Sequence, residues 1–281
     1  MNFIDGKLFY GPKLRIYIHK KLDISSATFY EINGDCPDRI KQLTLDDNDL
    51  CSISKFRPKN LDTLTIINNP IESLDSFSVD NLKDLDITDS KIKSISKFDV
   101  GGLKFLSLHC SPIKDLPLFN VKLLDSLSLY KSKLTSVDLG FNLGNLIELY
   151  LENNEIEDLD HLQISPSLIT LSVSGNKIKS LAGFNTVNLK NLSVSYNKLT
   201  NLNGFDIGKI KELNLSNNKI TDIRDFNSKK LINLYISENP IKEILGFNPR
   251  KLQMLKIDVD YISFGNLRNY LRDKTTKSAR K

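Results

Sequence analysis

The sequence predicts an α/β repeat solenoid: a curved horseshoe with a concave parallel β-sheet of about eleven strands and a mostly irregular convex side. Three observations carry this expectation. The 281-residue chain is self-similar at a period of 21 residues over most of its length. Each period holds a Leu-x-Leu pair, an alternation that puts both leucines on one face of a short strand. Nine positions into each period stands a small polar residue, where such a strand must end and turn.

Ten segments approximate Leu-x-x-Leu-x-Leu-x-x-Asn-x-Ile-x-x-Ile, starting at Ile40, Leu61, Leu82, Leu103, Leu124, Leu146, Leu168, Leu189, Ile210 and Leu231. Two steps, between Leu124 and Leu168, are of 22 residues, and Leu252 opens an eleventh, truncated copy. One unit is too small to bury its own apolar face; stacking the units buries a continuous core and pairs each strand with the next in parallel. A column of Phe56, Phe77, Phe98, Phe119, Phe184, Phe205, Phe226 and Phe247, with Leu162 in the sixth unit and Phe141 displaced by one place in the fifth, reads as the back wall of that core.

The ninth-position column reads Asn48, Asn69, Ser90, Ser111, Ser132, Asn154, Asn176, Asn197, Asn218, Asn239 and Asp260. Where the strand ladder ends, backbone groups lose their partners, and a buried amide side chain can donate and accept at once. The asparagines are therefore a structural ladder. Serine offers fewer bonds, so the turns at Ser90, Ser111 and Ser132 are expected to be looser. Asn217, beside the ladder in "ELNLSNNKITDI", is expected at the rim and free to vary, its counterparts including Cys110, Lys131, Gly175 and Tyr196.

Runs such as "LIELYLENNEIEDL" (146–159) and "IKELNLSNNKITDI" (210–223) resemble the leucine-rich repeat family over roughly residues 40 to 262. Units of 21 to 22 residues with Ile or Leu after the Asn look most like the subclass typified by regulatory subunits of protein phosphatase 1, and bacterial internalins have a similar unit. The resemblance implies an interaction module and suggests a phosphatase-1 catalytic subunit as a partner. The motif matches scaffold positions only, so no partner-contacting residue carries over.

Residues 1–39 lack the repeat but alternate in "LRIYI" (14–18), and read as an N-terminal cap with strands; 40–262 are the repeats. In 263–273, Phe264, Leu267 and Leu271 recur at helical spacing and suggest a capping helix; 274–281 form a basic disordered tail. That tail raises one alternative function, association with nucleic acid or an acidic membrane surface. A secreted, internalin-like adhesin is another. The start of the chain lacks the layout of a signal peptide, and no stretch approaches 18 apolar residues, so neither secretion nor a membrane span is expected. Three scattered cysteines, Cys36, Cys51 and Cys110, have no metal or redox spacing and suggest a reducing compartment. The expected location is the cytoplasm, or the nucleus.

With inward slots fixed, the third, fifth and seventh positions of each unit face outward on the concave side. These 33 slots hold seven acids and one base, Lys256, in a chain of formal charge +5. Excess lysine lies at edges and loops, as in Lys91, Lys133, Lys177, Lys198 and Lys219. A nucleic-acid reader would do the reverse, so no nucleic acid is expected on this face. Large groups collect in units four to six. Phe105, His109, Tyr130 and Tyr150 lie on neighbouring strands with Glu148 and Glu152, and Asp84 and Asp86 precede them. These eight residues are the expected partner-binding site, since aromatics on a rigid sheet make favoured contact points. No nucleophile with a positioned base, oxyanion hole, glycine-rich phosphate loop or metal spacing is legible. The sequence therefore points to a non-enzymatic protein-binding module, a scaffold or regulatory subunit without catalytic residues, cofactor or metal.

Overall fold

A computed structural model describes residues 2–4, 7–10, 14–16, 21–25, 32, 34–36, 38–77, 81–95, 98, 101–113, 123–137, 144–162, 164–186, 188–224, 226, 228–247 and 251–258. The expected capping helix and basic tail, with Phe119, Phe141 and Asp260, lie outside the described residues. Two compact units divide the chain, Met1–Asn154 and Glu155–Lys281.

The first unit opens with an antiparallel meander of β1 (Asn2–Ile4), β2 (Lys7–Tyr10) and β3 (Leu14–Ile16). Then follow β4 (Lys21–Ser25), β5 (Gly34–Asp35), β6 (Gln42–Asp46), β7 (Phe56–Arg57) and β8 (Thr63–Ile67). The unit ends with β9 (Asp84–Thr88), β10 (Phe105–His109), β11 (Ser126–Ser128) and β12 (Glu148–Tyr150). Strands β4, β6, β8, β9, β10, β11 and β12 pair in that order, all parallel. Like residues stand opposite like residues: Leu43 faces Leu64, Leu64 faces Leu85, and Leu85 faces Leu106.

β4 is an addition to the sequence count. Its Leu22 and Ile24 stand opposite Leu43 and Leu45, so the parallel sheet starts one period before Ile40. The repeat is masked there because the sequence has Ala27 where the period calls for Asn. A small second pairing of β5 with β7 ties the return segments of these first turns together.

In the second unit, β13 (Thr170–Ser172), β14 (Asn191–Ser193) and β15 (Glu212–Asn214) pair in parallel. β16 (Asp222–Arg224) lies on the return side, and β17 (Asn233–Tyr235) continues the main sheet. β18 (Glu243–Leu245) pairs with β16, and β19 (Met254–Lys256) with β17. All eleven strands expected from the repeat are present, the described residues hold no helix, and each unit is a parallel-sheet solenoid.

Burial follows the repeat. The fourth and sixth positions, such as Leu64 and Ile66 or Leu213 and Leu215, are buried, and the Ile slots behind the turn, such as Ile92 and Ile220, are equally so. The phenylalanine column is the back wall. Phe56, Phe77, Phe98, Phe184, Phe226 and Phe247 are buried, with rings of Phe56 and Phe77 stacked at 6.5 Å and those of Phe226 and Phe247 at 5.6 Å. Each such side chain contributes roughly 1.5–3 kcal/mol by leaving water.

From Asn69 to Asn218 the ladder asparagines are buried and bonded to backbone, and Asn239 is half-buried with the same bonds. Asn218 donates its Nδ2 hydrogens toward the carbonyls of Val194 (2.9 Å), Leu215 (3.0 Å) and Ser216 (3.4 Å), while its Oδ1 accepts from Leu199 N–H (3.0 Å). Asn197 repeats the pattern one turn earlier, with Val173, Val194, Ser195 and Ile178. Each amide thus bonds its own turn and the preceding one. In the first unit Asn154 does the same, and its Oδ1 accepts from both Ser132 and Leu134 N–H.

Two expectations need correction. The serine turns are as tight as the asparagine ones. The residue before the ladder has φ of 55° at Asp89, 50° at Cys110 and 52° at Lys131, against 48° at Asp47 and 57° at Asn217. Their N–H groups reach the next turn's carbonyls at 2.8–3.1 Å, as the others do. Serine compensates in a different way: the hydroxyls of Ser90 and Ser111 bond each other at 2.7 Å, and Ser132 reaches back to Leu108 O at 3.0 Å. Asn217, second, is constrained by its backbone rather than wholly free to vary. Position eight has positive φ in all ten units, a region that Gly, Asn and Asp tolerate best. Six of the ten are of those types; Cys110, Lys131, Tyr196 and Glu238 are the exceptions.

Asn218→Ala removes four hydrogen bonds and leaves the buried Leu199 N–H without its acceptor, and should cost at least about 2 kcal/mol in urea denaturation. Asn217→Ala loses only its left-handed tolerance and should cost about 1 kcal/mol. The reverse order would refute this division of roles.

Candidate functional site

Parallel pairing in register turns the open face of the first unit's sheet into a grid. The third-position row runs Thr63, Asp84, Phe105, Ser126, Glu148; the fifth runs Thr65, Asp86, Ser107, Ser128, Tyr150. The seventh runs Ile67, Thr88, His109 by pairing, with Tyr130 and Glu152 following in the repeat. Steps along a row are about 4.8 Å. The inside–outside alternation of β8, β9 and β10 confirms that these side chains face away from the core.

All eight expected site residues therefore lie on one face within four strands. Phe105 is 51% exposed, large for an aromatic on a sheet. His109 and Tyr130 meet edge to face, with ring centroids 5.6 Å apart. The Nε2 of His109 lies 2.7 Å from Ser128 Oγ on the next strand. This serine–histidine contact fixes the imidazole; the strand amides around it are committed to neighbouring strands.

The acids on the left of the grid are held by hydroxyls. Asp86 Oδ1 accepts from Ser107 Oγ (2.9 Å) and Thr88 Oγ1 (3.1 Å), and Asp84 Oδ2 accepts from Thr63 Oγ1 (3.2 Å). On the right, burial first and then the charges of Glu148 and Glu152 push the Tyr150 phenol above its usual value. Acids at the sheet's edge behave differently. Asp62 pairs with Lys83 at 2.9 Å, which holds its carboxyl below the usual range, and Asp125 pairs with Lys104 at 3.5 Å. Among the described residues no Lys or Arg pairs with Asp84, Asp86, Glu148 or Glu152. The first unit carries 21 acids against 19 bases, the second 13 against 20. The edge carboxylates of Asp62 and Asp125 are thus paired with lysine, and the four on the face have no basic partner among the described residues.

Four further residues at this place are not among the eight expected contacts. Ser107, Ser126 and Ser128 form a low floor between the larger groups; small polar residues carry no signal until the register surrounds them. Lys131 holds its Nζ 5.3 Å from the centre of the Tyr130 ring. Counting along the repeat places it at the turn beside the face, but only the fold aims it back over the ring.

The open face of the second unit is smoother. Its serine hydroxyls bond one another, Ser174 with Ser193 at 2.7 Å and Ser195 to Ser174 at 3.0 Å. Tyr196 stands at its rim, 64% exposed. Of the thiols, Cys36 is buried and pushed up to about 12, first by burial and then by Asp38, so it stays protonated and unreactive at neutral pH. No group of His, Cys, Asp or Glu among the described residues has the arrangement to hold a metal ion.

The raised phenol of Tyr150 has a pH consequence. An acid whose folded pKa exceeds its unfolded value contributes stability that is full below about 10 and is lost as pH rises through the folded value. Phenolate absorbance, compared with a Tyr150→Phe variant, should show Tyr150 ionising above the usual phenol range, and Glu148→Gln with Glu152→Gln should lower it only in part, because burial remains. Complete normalisation in that double variant would show that charge, not burial, dominates.

The repeat at residues 209–228 matches the Leucine Rich Repeat family model. No curated protein sequence matches the chain as a relative. Solved structures do. YopM from Yersinia enterocolitica is similar with a TM-score of 0.60 at 21% identity, over 86% of this chain and 60% of that one. A chain of the octameric complex of Latrophilin 3, Unc5D and FLRT2, in which FLRT2 is the leucine-rich-repeat component, gives 0.58 at 19%, over 78% and 84%. An internalin, InlF of Listeria monocytogenes, gives 0.51 at 20%, over 88% and 87%. Strand register, ladder bonding and these likenesses agree on the fold, a leucine-rich-repeat parallel-sheet solenoid, of which one repeat matches the family model.

Proposed function

We propose that the chain is a non-enzymatic protein-binding module, a scaffold or regulatory subunit that works in the cytoplasm or nucleus. Its partner is a protein with a basic or mixed patch, held on the open face of β9 to β12. The observation that carries this reading is the contrast in charge. Asp84, Asp86, Glu148 and Glu152 stand without a basic partner around an exposed aromatic group, while the edge acids Asp62 and Asp125 are paired. Leucine-rich repeat proteins typically mediate protein–protein interaction, and the similar chain in the Latrophilin 3–Unc5D–FLRT2 assembly comes from a protein complex. A negative face with lysines kept at the edges is the reverse of a phosphate-binding surface.

The aromatic groups supply the contact area and the acids the orientation and encounter rate. Tyr130→Ala and Tyr150→Ala should each weaken partner binding by more than about 1 kcal/mol without unfolding the protein, measured by calorimetry on a partner purified by affinity capture. Unchanged affinity in both variants would move the site elsewhere. By its repeat subclass a phosphatase-1 catalytic subunit is one candidate, and a pulldown that fails to retain it removes that candidate.

A further inference from the structure

The grid has a low centre. Ser107, Ser126 and Ser128 occupy adjoining squares, Ser107 and Ser128 by direct pairing on β10 and β11. Around them stand Phe105 beside Ser126, Tyr150 beside Ser128, and the His109–Tyr130 pair in the next row. Aromatic faces around a floor of small residues, with unpaired carboxylates one square away, make a seat for a cation.

The structure already shows a cation at its rim. Lys131 holds its ammonium 5.3 Å from the Tyr130 ring centre. It does so from a left-handed backbone, φ 52°, a conformation unfavourable for lysine and filled by Gly, Asn or Asp at most equivalent positions. Lys131 lies outside the row of face residues, so its ammonium covers one wall of the seat; on the floor His109 Nε2 reaches Ser128 Oγ at 2.7 Å and Ser107 Oγ donates to Asp86, which holds both hydroxyls in place beside Ser126.

We propose that the floor of Ser107, Ser126 and Ser128 seats an arginine side chain of the partner, and that Lys131 is an internal cation this arginine displaces from Tyr130. The proposal rests on the protein-binding reading above and names the chemistry of its central contact. Arginine fits better than lysine. A planar guanidinium stacks on a single ring such as Phe105 or Tyr150, and its fork of donors suits a neighbouring carboxylate, Asp86 beside Ser107 or Glu148 beside Ser126. Asp86 has its Oδ1 anchored by Ser107 and Thr88, so it needs little ordering on binding.

The probe is the peptide acetyl-Gly-Arg-Gly-amide, titrated into the isotopically labelled full chain and followed by amide shifts in nuclear magnetic resonance. Saturable shifts are expected at Ser107, Ser128 and His109. The citrulline counterpart, equal in shape but uncharged, should bind about tenfold more weakly or worse. Ser126→Leu fills the floor and should lose the peptide by a similar factor with the thermal midpoint unchanged. Lys131→Asn, suited to the left-handed turn, should tighten binding about threefold. Equal affinity for the citrulline peptide, or no saturable shift at these residues up to about 10 mM, overturns the arginine seat. Unchanged or weakened binding in Lys131→Asn overturns the role of Lys131. If the captured partner still depends on Tyr130 and Tyr150 while the peptide fails, the seat is wrong and the binding face stands; if neither tyrosine matters to the partner, the face itself is wrong.

Discussion

The ladder amide is the contact on which the rest depends. A turn at the end of every strand leaves carbonyls and N–H groups with no strand partner, in the interior. One asparagine side chain satisfies its own turn and the turn before it, as Asn218 does with Leu215 and Ser216 on one side and Val194 and Leu199 on the other. Because each bond pair spans two units, the ladder locks one period to the next. Slippage by one residue would turn every buried leucine outward and strip the turns of their partners together. Register here is fixed twice, by apolar burial and by the amides, and the open face inherits its regularity from both.

A rigid register makes a face that can hold unusual charge. The strands cannot rearrange to bring a lysine to Asp86 or Glu148, and the repeat places its lysines elsewhere: beside Asp62 and Asp125 at one edge, and beside Glu155 and Glu157 behind the turns of the second unit. Those exposed pairs contribute little to stability. Their arrangement has a different consequence. Neutralised edges around a face of fixed, unpaired carboxylates give that face a local field opposite in sign to the net charge of the chain, and such fields act on partner choice and encounter rate more than on folding.

The fold was legible because it rests on residue type at fixed spacing. Leu-x-Leu, the polar ninth slot and the phenylalanine column each declare their place without reference to neighbours. β4 escaped because its apolar pair was readable but its ladder slot was not. The serine turns were misjudged because bond capacity was assigned to single side chains, whereas Ser90 and Ser111 act as a pair across two units. Asn217 was misjudged because backbone handedness leaves only a statistical trace, blurred by Cys110, Lys131, Tyr196 and Glu238 at the same slot. At the site, the aromatic and acidic residues were legible as types in a register. The contacts between them, His109 to Ser128 and Lys131 to Tyr130, depend on rotamers that spacing does not encode.

The serine turns share a region with the candidate site. The serine ladder slots close the strands that carry Asp84, Phe105 and Tyr130, and two of the four disfavoured left-handed residues, Cys110 and Lys131, directly follow His109 and Tyr130. A solenoid stabilised by identical contacts in every turn has no internal reason to depart from its best residues in three consecutive units. Asparagine in those slots and glycine or asparagine before them would satisfy the same turns at lower cost. The serine departures from the ladder fall where the face is most aromatic and are absent from the regular repeat around Asn217 and Asn218, which supports the binding surface proposed there.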